Sequence, residues 1–196
     1  MSDHASPGRA VLPTPMRPAT VLTSKVKLRS STLAFALKFI FYTAVLLGSF
    51  ELARGTAFER FVVDDCLLQP TLALIRVADR STEVALIGRS IVSPGSKLNV
   101  TRGCEGVDLF LLLMAGLLAF PAGWRAKARG LAAGLVLAYV LSIARLMALH
   151  FTLRYAPDAW ESMHGLILPL GPVIVMMIYF ARWSASASAS VPLHAP

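Results

Sequence analysis

Charged residues are scarce in this sequence. Asp, Glu, Lys and Arg make up 15% of the 196 residues, whereas about a quarter of the residues of an ordinary soluble domain are charged. Hydrophobic residues make up 56% of the chain and are gathered in long runs. Each run is close to the roughly 17 to 25 residues that an α-helix needs to cross a bilayer. The composition therefore argues against a soluble domain and predicts a membrane protein whose surroundings are the lipid bilayer.

Cysteine is scarce as well. Cys66 and Cys104 are the only two, with no CxxC motif and no Cys/His cluster at metal-ligand spacing, so we expect no zinc site, no thioredoxin-like chemistry and no cofactor. The net charge of +8 is spread over tails and loops without interleaved aromatic residues, so nucleic acid is not expected as a partner. A disulfide between the two cysteines stays open.

The apolar runs predict an all-α polytopic membrane protein with about four transmembrane helices, over residues 33–50, 107–124, 130–150 and 164–183. Residues 31–183 then form the membrane-embedded domain. The Pro-rich segment 1–30 is predicted to be a disordered cytoplasmic tail, and the low-complexity segment 184–196 a disordered C-terminal tail. The more polar loop 51–106 is predicted to contain an amphipathic helix over 61–78 and a short β-hairpin formed by 83–92 and 97–101.

Basic residues indicate the orientation of these helices. The short segments on the side of the termini carry Lys or Arg near membrane ends with no acidic residue beside them, namely Lys25, Lys27, Arg29, Arg125, Lys127, Arg129 and Arg182. The loop 51–106 instead mixes both signs of charge. The positive-inside rule therefore predicts that both termini are cytoplasmic and that this loop is extracytoplasmic.

Three reactive residues lie near the predicted outer ends of separate helices. Cys104 precedes the second helix, Arg145 lies in the third and His164 begins the fourth. Arg145 is five residues from the end of its helix at residue 150, hence roughly 7 Å below it. A helix N-terminus and a nearby cation both favour the nucleophilic thiolate, a histidine can move its proton, and an arginine can stabilise an oxyanion. Such a set suits acyl transfer.

Each of these residues also has a structural interpretation. Arg145 could pair with Asp108, which lies at a comparable depth in the second helix. Cys104 could be a packed thiol or bridge to Cys66, and His164 could be an ordinary interfacial histidine. The alternative function is therefore a non-enzymatic membrane assembly or anchoring protein with a structural pair of Arg145 and Asp108.

The motifs GCEGVD, LSIARLMAL and ESMHG, together with the apolar run between the first two, resemble the exosortase/archaeosortase family of membrane transpeptidases, especially its small bacterial exosortases. The likeness covers about residues 98–180. It implies that Cys104 is the nucleophile, Arg145 the residue that positions substrate or stabilises the transition state, and His164 the general base. Members often have asparagine three residues before this arginine, where this chain has Ser142.

The resemblance also implies a substrate and a location. The substrates would be exported proteins that end in a sorting signal, consisting of a short motif, a transmembrane helix and a basic end. Cysteine peptidase chemistry would cleave this signal at the outer face of the bacterial cytoplasmic membrane, hold the new C-terminus as a thioester and transfer it to an acceptor that the sequence does not name. Asp108, Ser142 and Glu161 are expected to support the site, and the hairpin could offer an edge to the extended motif.

Overall fold

The computed structural model describes residues 20–80, 83–101 and 103–189. The helices are α1 (Thr20–Leu52), α2 (Ala57–Arg60), a π-helix (Phe61–Leu68), α3 (Gln69–Ala78), α4 (Val107–Ala119), α5 (Trp124–Tyr155), a 3₁₀ turn (Pro157–Ala159), α6 (Trp160–Ser162), a second π-helix (Met163–Ile167) and α7 (Leu168–Ala189). The strands are β1 (Ala85–Ile87), β2 (Ser90–Ser93) and β3 (Ser96–Asn99). The described residues divide after Ala34 into two compact units, and every contact discussed below lies within the second.

Three helical segments of the described chain are long and apolar enough to cross a membrane: Thr32–Leu52, Trp124–Tyr155 and Pro157–Ser188. The prediction of a helical membrane protein is confirmed at this level. The predicted span 107–124 is instead the 13-residue helix α4, about 20 Å long, against about 30 Å of hydrocarbon. It ends because Phe120, before Pro121, adopts an extended conformation with φ −66° and ψ 137°.

Both predicted tails differ from the structure at their inner ends. Helix α1 begins at Thr20 and α7 continues to Ala189, so 20–30 and 184–189 are helical. Alanine favours helix, and the hydroxyls of Ser184, Ser186 and Ser188 donate to carbonyls three or four residues earlier. The remainder of the predicted tails, 1–19 and 190–196, lies outside the described residues.

The segment between α1 and α4 contains a small antiparallel sheet in the order β1-β2-β3. Ala85 pairs with Val92, and Ser93 pairs with Ser96 across the second turn. The predicted strand 83–92 is therefore wrong as a single strand, because it turns back at Gly88, whose φ of +59° suits glycine. The second turn falls where the hairpin was predicted.

Helix α5 is shared by two parts of the core. Its first half packs with α4 and α7 around Leu113, Leu117, Ala138 and Met176. Its second half presents Ile143, Leu146 and Leu149 to the insert, which is the segment 53–106 between α1 and α4. One cluster there includes Val63, Leu68, Val100 and Cys104. The other includes Leu72, Ile75, Ile91 and Leu98. The insert thus packs on the end of α5 that carries Arg145.

Candidate functional site

Cys104 and His164 lie together although they are sixty residues apart. The distance from Cys104 Sγ to His164 Nε2 is 3.7 Å, within hydrogen-bonding range for sulfur. Cys104 lies in the turn before α4, and the Thr101 hydroxyl is 3.8 Å from the same sulfur. Cys104 is only 6% exposed and belongs to the apolar cluster that the insert forms with α5. A pair of a buried thiol and a half-buried imidazole therefore lies where the insert and the helices meet.

Arg145 reaches the residue before this cysteine. Its Nη1 donates a hydrogen bond of 2.9 Å to the carbonyl oxygen of Gly103. Its Nε is buried and has no partner among the described residues. Cys104, Arg145 and His164, the three predicted reactive residues, thus converge on one turn of the chain.

His164 lies further along its helix than the sequence indicates. The helical run begins at Pro157, so His164 is in its second turn, inside the π-helix Met163–Ile167, and not at a helix N-terminus. The indole of Trp160 stacks on the imidazole, with ring centroids 5.0 Å apart and an angle of 16° between the planes. Sequence reasoning missed Trp160, although its position four residues before the histidine signals a shared helix face.

The predicted supporting residues are placed differently from one another. Asp108 lies 4.0 Å from Arg54, and within the described chain it forms no ion pair with Arg145, so the expected structural pair is absent there. Ser142 faces Gly106, and a Cβ at that glycine would lie 2.5 Å from the serine Oγ. Glu161 is exposed. Only Ser142 among these three contacts the turn that carries the thiol.

Sequence reasoning did not find a cluster of charged residues next to the turn that carries Cys104. The Arg89 guanidinium donates to Glu59 at 2.9 Å and to Asp64 at 3.0 Å, and it lies 3.9 Å from Glu105. The hydrogen bond from Arg89, with a second from the N–H of Gly55, lowers the pKa of Glu59. Burial raises the pKa of Glu105, the residue after Cys104, against the attraction of Arg89. The cluster ties the β1–β2 turn to the segment that holds Cys104.

Cys66 is a free thiol, as is Cys104, so the two are not bridged. Cys66 instead lines a largely apolar cavity of about 630 Å³ between α1, the first π-helix, α4 and α5, which Glu105, Gly106 and Ser142 also line. Across 20–80, 83–101 and 103–189, no group of three or more His, Cys, Asp or Glu residues could hold a metal ion.

No protein-family model, no curated protein and no solved structure matches this chain. The likeness to exosortases therefore rests on the sequence motifs quoted above.

Proposed function

We propose that this protein is an exosortase-like cysteine transpeptidase. The observation that carries the proposal is the 3.7 Å separation of Cys104 Sγ and His164 Nε2, with the Arg145 guanidinium bound to the adjacent Gly103 carbonyl. A nucleophile, a base in contact with it and a fixed cation are the parts that acyl transfer requires.

The proposed reaction assigns one role to each group. His164 takes the proton of Cys104, and the thiolate attacks the scissile carbonyl carbon of the substrate. Arg145 stabilises the oxyanion with the N–H groups that its bond to Gly103 leaves free. The imidazolium then protonates the leaving amine, which departs with the C-terminal helix of the sorting signal, and a thioester remains. Attack by an acceptor amine releases the product and restores the thiol.

Membrane crossing by four segments is part of the proposal, and contacts of α4 support it. Gly106 at its start lies against Ser142, just past the middle of α5. At its other end the Lys127 ammonium donates a 2.6 Å hydrogen bond to the Leu118 carbonyl. Helix α4 and the extended residues after it thus run alongside α5 from residue 142 to residue 127, about 22 Å of helix. Together with the three longer helices, this segment is proposed to make four crossings, with cytoplasmic termini and an outward-facing site in the bacterial cytoplasmic membrane.

A second candidate is a non-enzymatic assembly or anchoring protein. The observation in its favour is the burial of Cys104 among apolar side chains, since packed thiols are common in protein cores. Under this alternative the cysteine contributes only volume, and Cys104→Ser is silent for any processing reaction.

The deciding experiment compares exported proteins from cells that produce Cys104→Ala with those from cells that produce Cys66→Ala. The second variant is a matched control, because Cys66 is also a free thiol but lies outside contact with His164 in the proposed site. Mass spectrometry of membrane and secreted fractions should find proteins that keep an apolar C-terminal helix and basic end only with Cys104→Ala. Identical C-termini in both strains would reject the transpeptidase.

A further inference from the structure

The imidazole of His164 is held from one side by an aromatic ring. Trp160 lies one helical turn earlier and stacks on it almost in parallel, at 16°. His164 itself lies in the π-helix that begins at Met163. A π-helical turn changes which side chains share a helix face. The stack limits rotation of the imidazole about χ2 while its Nε2 lies near the Cys104 sulfur.

The indole itself is fixed by the insert. Trp160 packs against the cluster that contains Leu72, Ile75, Val84 and Leu98, together with Leu149 of α5. Since these residues come from three separate parts of the chain, the plane of the indole is set by tertiary packing and not by its own short helix α6, which is only three residues long. The ring therefore has support from tertiary packing in addition to its contact with His164.

An indole face also favours a positive charge, because its π-electrons attract cations. When His164 accepts the thiol proton it becomes an imidazolium directly over this face. The stack therefore stabilises the ion pair of thiolate and imidazolium more than the neutral pair, in addition to fixing the ring.

We propose that Trp160 is a positioning residue of the transpeptidase site, which orients His164 toward Cys104 and supports its protonated form. This inference rests on the proposed function and adds a residue to its machinery. Trp160 acts through the histidine.

The test is a double-mutant cycle on the reactivity of the cysteine. In a Cys66→Ser background, the rate at which a small neutral methanethiosulfonate modifies Cys104 is measured at one pH in purified protein. We expect His164→Ala to slow this reaction by at least about 10-fold and Trp160→Leu by about 3- to 10-fold. Trp160→Phe, which keeps an aromatic face, should restore most of the rate.

In the His164→Ala background, Trp160→Leu should have no further effect, since the ring that it positions is gone. Equal slowing in both backgrounds, or a wild-type rate for Trp160→Leu, would overturn the assignment of Trp160 while leaving the transpeptidase intact. A wild-type rate for His164→Ala would instead count against the thiol–imidazole pair and so against both proposals.

A matched control is available in the same helical run. Trp183 lies near the opposite end, where its indole N–H donates to the Ala126 carbonyl at 3.2 Å. Trp183→Leu should leave the modification rate unchanged. Should Trp160→Leu be recovered poorly, Trp160→Met fills the same volume without an aromatic face, and the same cycle applies with the same two outcomes.

Discussion

The contact between Gly106 and Ser142 allows a quantitative test of the geometry around the thiol. Gly106 has φ +78°, in the left-handed region, where a side chain costs about 1 to 2 kcal/mol. A Cβ there would also lie 2.5 Å from Ser142 Oγ, about 0.9 Å closer than the 3.4 Å of ordinary contact. Turning the serine hydroxyl away costs about 1 kcal/mol more. Gly106→Ala is therefore expected to destabilise the fold by about 2 to 3 kcal/mol.

Gly103→Ala separates the two contributions. This glycine has φ +82° but nothing within 4 Å of the added methyl group, so only the backbone cost of about 1 to 2 kcal/mol applies. The assay is the midpoint of thermal unfolding in detergent, where 1 kcal/mol corresponds to about 2 to 4 °C for a chain of this size. Gly106→Ala should therefore melt about 2 to 4 °C below Gly103→Ala.

The excess should depend on the serine hydroxyl. In a Ser142→Ala background the Oγ is absent and the nearest remaining atom, Cβ, lies 3.5 Å from the added methyl group, so Gly106→Ala and Gly103→Ala should then cost the same. Equal midpoints for the two glycine variants in the wild-type background would refute the close approach of α4 to α5. So would an excess that persists without the hydroxyl.

Three further predictions concern charge, catalysis and topology. Near neutral pH, Glu59→Gln should lower the unfolding midpoint, because its lowered pKa reflects stabilisation that is present above about pH 4.5 and lost as the pH falls further. Glu105→Gln should raise the midpoint, because the raised pKa of Glu105 means that its ionised carboxylate destabilises the fold. This cost fades as the pH falls toward 4.5. Unfolding midpoints, measured as a function of pH, that move in the same direction for both variants would contradict these assignments. Arg145→Lys should keep the protein in the membrane but reduce processing of exported substrates at least about 100-fold, as measured by pulse labelling, and normal processing would remove this arginine from the mechanism. In a cysteine-free background, Ala122→Cys should react with a membrane-impermeant thiol reagent only from the cytoplasmic side and Ser96→Cys only from outside, whereas labelling from one common side would exclude a crossing by α4.

The helical membrane fold could be predicted because long hydrophobic runs can be read directly from the sequence. The length of α5 could not, because Arg154 and the basic residues after Trp124 are typical of span ends, although the helix continues through both. Its second half is apolar as well but packs against the insert. A sequence pattern reports burial in lipid and in protein alike, and only tertiary contacts distinguish the two.

The residues of the candidate site could likewise be predicted only in part. Cys104, Arg145 and His164 were found because each is unusual for its place beside or within an apolar run. Trp160 and Arg89 were not, because an aromatic residue near a membrane end and an arginine in a polar loop are ordinary there. Arg89 acts through contacts across long sequence separations, such as the 30 residues between Arg89 and Glu59, which no local pattern reports.

The insert links these observations. Val63, Leu68 and Val100 of the insert lie in one cluster with Cys104 and with Ile143 and Leu146 of α5, so the insert and α5 bury the thiol together. Under the proposed function this burial has a chemical use, since a thioester kept from water survives until an amine acceptor arrives. A structural thiol would have no need of an imidazole at 3.7 Å. The combination of an apolar wall with an imidazole in contact with the sulfur therefore favours the transpeptidase over the anchoring protein.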